Sequence, residues 1–125
     1  MNYEQLTDDE LNKEVSEKVM GWEVAEDWRG KYWIIQNGIL ARTTVYDSYC
    51  NHWQPATSIA QAVEVVERFN GYEIIKSTTE PTLKYRVRLW FDSQGKTTGF
   101  IWDKSLPRAI CIASLKAVEA KEGKE

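Results

Sequence analysis

Leu106-Pro107-Arg108-Ala109-Ile110-Cys111-Ile112-Ala113-Ser114-Leu115-Lys116-Ala117-Val118 reads as a helix with almost no polar side. Pro107 suits the opening turn, where a missing N–H costs little, and Ser105 or Leu106 stands near the cap. Ala109, Ile110, Cys111, Ile112, Ala113, Leu115, Ala117 and Val118 leave the segment apolar around most of its circumference. A helix lying on a surface shows a narrower stripe. This one is either deeply covered by its own domain or set against a second subunit.

Working outward, Thr7-Asp8-Asp9-Glu10 has the form of a capping box and opens a first helix, with Leu11, Val15 and Val19 at four-residue spacing and Gly21 as its stop. Lys31 to Gln36 predicts a strand, Asn37-Gly38 a tight hairpin, and Ile39 to about Tyr46 the return strand. Thr57 or Ser58 caps a second helix whose apolar stripe is Ile59, Ala62, Val63, Val66 and Phe69, ended by Asn70-Gly71. Strands follow over Tyr72–Lys76, Leu83–Phe91 and Thr97–Trp102.

The order α-β-β-α-β-β-β-α, joined mainly by hairpins, predicts an α+β protein. Its form would be an α/β/α sandwich with helices on both faces of a mainly antiparallel five-stranded sheet. Residues 1–120 make a single domain and 121–125 a charged, frayed tail.

Composition narrows the function. The 125 residues, 42% hydrophobic and 28% charged, suit one soluble domain with one core. A net charge of -3 gives no general attraction to nucleic acid. No apolar run nears the ~20 residues that span a bilayer, and the acidic opening MNYEQLTDDE is not a signal peptide, so a cytoplasmic location is expected. In that setting the two cysteines, Cys50 and Cys111, are expected to stay unpaired, with Cys111 a small core residue.

Three segments carry a resemblance. Leu11 to Trp22 (LNKEVSEKVMGW), Pro55 to Glu67 (PATSIAQAVEVVE) and Leu106 to Leu115 (LPRAICIASL) are similar, in order and spacing, to motifs of the phage ABA sandwich domain family. The likeness covers roughly residues 6 to 120. Ser58 stands where that family often has Asp, and Val63 where it often has Trp. The resemblance implies a bacteriophage or prophage accessory protein with the α/β/α fold, and no particular reaction.

The candidate sites are few. The loop TVYDSYCNHWQPAT, residues 44–57, holds the chain's one histidine. Cys50 and His52 fall short of a four-ligand zinc site, and a Cys–His nucleophile lacks an orienting group. A binding rim is the functional reading: Tyr49, His52 and Trp53 offer planar faces, with Thr57 and Ser58 at the following helix start. The plainer reading is a loop anchored by its aromatics.

Lys104, Ser105 and Arg108 form a second candidate phosphate seat, unless Arg108 merely pairs with a carboxylate. Arg29 is the candidate of the Trp28–Lys31 turn. Lys84, Arg86 and Arg88 share one strand face, whose plainer reading is a solvated surface.

No constellation joins nucleophile, base and orienting group, so no enzyme, metal or cofactor is expected. The leading expectation is a counter-defence protein, self-associating through its third helix. It would sequester a small nucleotide-type signal, cyclic ADP-ribose-like or a cyclic oligonucleotide, in the cytoplasm of the infected bacterial host. The alternative is a protein–protein interaction module that inhibits a host protein or supports phage replication.

Overall fold

A computed structural model describes residues 2–28, 31–36, 38–43, 51–77, 84–92 and 95–122, except the side chains of 36, 39–43, 51 and 52. Thr7 caps α1, Asp8–Glu14, through both halves of the expected box. Its hydroxyl accepts the Glu10 N–H at 3.2 Å, and the Glu10 carboxylate accepts the Thr7 N–H at 2.9 Å. The helix then widens into a π-helical turn, Val15–Val19, in which the Met20 N–H reaches the Val15 carbonyl at 3.0 Å. Gly21 follows at φ 72°, left-handed backbone that a side chain would strain. Leu11 and Val15 are buried as their spacing requires, but so are Asn12 and Ser16. The Asn12 Oδ1 accepts the Ala56 N–H at 2.9 Å, tying α1 to the loop before the second helix.

The strands form two sheets, which corrects the expected single sheet of five. In the first, β1 (Glu23–Glu26), β2 (Tyr32–Gln36) and β3 (Ile39–Thr43) pair antiparallel, and the two-residue β4 (Asn51–His52) joins β3 in parallel. In the second, β5 (Gly71–Lys76), β6 (Tyr85–Trp90) and β7 (Ile101–Asp103) are antiparallel in that order. β1 escaped the pattern because Glu23, Ala25 and Glu26 are all exposed and show no alternation. Gln36 pairs with Ile39, confirming the tight hairpin. A register shift sets Ile34 opposite Arg42 and Ile35 opposite Leu40, leaving Ala41 as the bulge. The last predicted strand is shortened: Thr97 only bridges Trp90, and Gly99 at φ 76° breaks the extension before Ile101.

α2, Ile59–Val66, is capped by Ser58, but its buried stripe is Ala62, Val65 and Val66. Ile59 and Val63, expected inward, are exposed. α3, Leu106–Lys121, is the hub: it packs on β6 and β7 and also on α1, its π-turn and α2. Every residue from Ala109 to Leu115 is buried by this one chain. Self-association therefore gains no support from that apolar circumference. α3 runs through Lys121, so the predicted tail begins later; residues 123–125 lie outside the described ones. No helix among the described residues is long and apolar enough to cross a membrane.

Candidate functional site

Among the described residues of the two sequence-derived seats, Trp53 and Arg108 serve as anchors of the fold. Trp53 is fully buried and meets Trp22 edge-to-face, with centroids 4.9 Å apart at 65°. It cannot stack on a ligand without the core opening. Past it, the Gln54 N–H donates to Gln61 Oε1 at 2.6 Å, and the Ser58 N–H to the Gln54 carbonyl at 2.8 Å. Thr57 is exposed, its hydroxyl donating to the Gln54 carbonyl at 3.4 Å, and the Ser58 hydroxyl accepts the Gln61 N–H at 3.4 Å as the α2 cap. Both hydroxyls thus serve the turn. His52 lies in β4, opposite Thr43, with its side chain outside the described ones; Arg29, Tyr49 and Cys50 lie outside the described residues altogether.

At the start of α3, Ser105 caps the Arg108 N–H at 3.5 Å, and the Ser105 N–H donates to Asp103 Oδ1 at 2.9 Å. Lys104 is exposed. Arg108, the favoured phosphate ligand, points instead to the N-terminal segment. It donates to Asp8 Oδ1 at 2.8 Å, to the Glu4 carbonyl at 3.1 Å and to the Leu6 carbonyl, with Asp103 Oδ2 at 3.7 Å. Lys116 and Tyr3 extend this strap along α3: the ammonium donates to Glu4 at 2.6 Å, holding that carboxylate below its usual range, and the phenol to Glu119 at 2.8 Å. Arg108 is committed to its own chain.

Cys111 is fully buried, and that burial pushes its thiol well above the usual range. In a Cys50→Ser background, Cys111 is expected to resist aromatic disulfide reagents in the native state and to react only at the rate of unfolding. A thiol titrated immediately under native conditions would show that α3 opens to solvent.

What the sequence missed is a cleft of about 440 Å³ at the far end of α3. Phe69, Phe91, Val19 and Val118 supply apolar lining, with Lys18, Arg68 and Lys121 around it and Glu122 as the single carboxylate. A recess of about 230 Å³, including Tyr3 and Leu115 in its lining, shares Lys18, Val118 and Glu122 with it. The π-turn, α2 and α3 all end at this place, so the cations face helix termini worth roughly half a negative charge each. Lys18 is itself paired with Glu14 at 2.9 Å, so Arg68 and Lys121 are the cations the cleft leaves to a ligand. That suits a ligand with one or two anionic groups and an apolar or planar body. No motif flags the cleft, because its cations are scattered residues at helix ends. Among the described residues, no group of three or more His, Cys, Asp or Glu could hold a metal ion.

The sequence profile of the phage ABA sandwich domain matches residues 13–115. A crystal structure of a phage protein from Bacillus cereus superposes with a TM-score of 0.65 at 23% identity, covering 90% of this chain and 92% of that one. At that identity the likeness shows a shared fold. No curated protein matches the chain.

Proposed function

The chain belongs to the phage ABA sandwich domain family, and on that footing we propose that it is a phage accessory protein that binds a small anionic ligand of nucleotide type and holds it without converting it. The observation that carries this reading is the cleft of about 440 Å³ that sets Lys18, Arg68 and Lys121 beside Phe69 and Phe91. Its volume lies in the range that seats one small ligand. Half-buried Phe69 offers apolar surface to a base, and the exposed Arg68 and Lys121 offer charge to phosphate. Holding rather than converting fits the burial of Cys111, which withdraws that nucleophile. A phage protein that withdraws a cyclic ADP-ribose-like or cyclic oligonucleotide signal acts as a counter-defence sponge in the cytoplasm of the infected host.

The test combines binding with charge reversal. Arg68→Glu with Lys121→Glu changes two exposed residues, for which stability effects stay within about 0.5 kcal/mol. The native protein, purified from defence-active cells and weighed by native mass spectrometry, is expected to carry an unmodified nucleotide. The double variant should lose it while keeping its melting transition. An empty native protein that shows no mass shift with a panel of cyclic nucleotides would sink the reading, as would a double variant that retains the ligand.

A further inference from the structure

The second sheet has a face turned away from α3. α3 packs on β6 and β7 from the side where Val87, Leu89 and Ile101 are buried. Side chains alternate across a strand, so Arg86, Arg88 and Trp90 of β6 point the other way. Trp102 lies opposite Arg86 on β7, and Glu73 opposite Arg88 on β5.

These groups form a stack. The Arg86 guanidinium sits 4.8 Å from the Phe100 ring centroid and 5.2 Å from that of Trp102. Arg88 sits 4.6 Å from Phe100 and 4.9 Å from Trp90, and pairs with Glu73. Both arginines are thus packed on Phe100. The cross-strand neighbours of Arg86 are Ile75 and Trp102, neither of which carries charge.

We propose that this face docks an acidic, partly apolar segment of a partner protein, with the Arg86 guanidinium receiving a carboxylate. Charge complementarity selects that occupant. In a chain of net charge -3, the alternation of β6 puts Arg86 and Arg88 on one face, where the paired β5 residues bring the single carboxylate of Glu73. A guanidinium lying on aromatic rings keeps its in-plane donors free to form the two-point fork that a carboxylate fits. Trp102, 40% exposed, gives the segment an apolar neighbour. Single-stranded nucleic acid fits less well. Base stacking needs open ring faces along a basic track, whereas Phe100 is engaged by both arginines and Glu73 sits within the patch.

The test uses a fluorescein-labelled peptide of alternating glutamate and valine, its lysine–valine counterpart, and an oligothymidylate, followed by fluorescence anisotropy. The glutamate peptide is expected to bind and to weaken with salt. Arg86→Glu should weaken it by at least about tenfold, and Arg86→Gln by less. Arg86→Gln keeps the test valid if charge reversal disturbs the sheet. Three results would overturn the proposal. One is tight binding of oligothymidylate without the glutamate peptide, which makes the face a nucleic-acid surface. Another is self-association, seen by sedimentation, that Arg86→Gln abolishes while no peptide binds, which makes it a contact between copies. The last is glutamate-peptide binding unchanged by either variant, or absent altogether.

Discussion

Trp53→Ala is expected to destabilise the protein by about 3–5 kcal/mol, the range for emptying a buried large aromatic site. Trp53 has no exposed surface and shares an edge-to-face contact with Trp22. Such a pair contributes about 0.5–1.5 kcal/mol beyond its buried area. Against a typical total of about 5–15 kcal/mol, the variant loses a large share of its stability. Denaturant unfolding followed by circular dichroism reads the change, and Trp53→Phe should recover part of it. If Trp53→Ala instead melts like the parent and loses only a ligand, the indole belongs to a binding surface and the core assignment is wrong.

Arg108→Ala should cost about 2–3 kcal/mol, because its fork donates to two carbonyls of the N-terminal segment as well as to Asp8. The side chain is only 18% exposed, so truncation leaves those carbonyls without their donor in a partly dry place. The Asp8 ion pair is a minor part, since Asp8 is 51% exposed, and Asp8→Asn alone should cost under about 1 kcal/mol. Arg108→Lys keeps the charge but not the planar fork, and should recover less than half of the loss. Melting curves decide it. An Arg108→Ala protein of parental stability that no longer retained an anionic ligand would restore the phosphate-seat reading.

The contrast between these two residues and the cleft shows what was legible. The capping box at Thr7, the hairpin closed at Gln36 and Ile39, the helix starts beside Ser58 and Ser105 and the need to cover α3 all follow from the residues themselves. Each depends on neighbours within a few positions, or on apolarity so complete that any fold must cover it. Val63 and Ile59 were misplaced because a short helix can turn its stripe by one position to meet α3, and local spacing does not record that rotation. The sheet divided for a similar reason. Period-two alternation marks a strand's faces but not which strand lies beside it.

By itself, then, the sequence determined the three main helices, most of the longer strands, the family likeness and the need for something to cover the last helix, because propensity, capping and hydrophobic content act along the chain. Only the tertiary structure decided that Arg108 closes a strap on Glu4, Leu6 and Asp8, about a hundred positions away. It alone brought Lys18, Arg68 and Lys121 to one cleft, and Arg86 onto Phe100 and Trp102. A charged side chain takes its role from whatever partner packing brings within a few ångströms, and sequence order does not hold that distance.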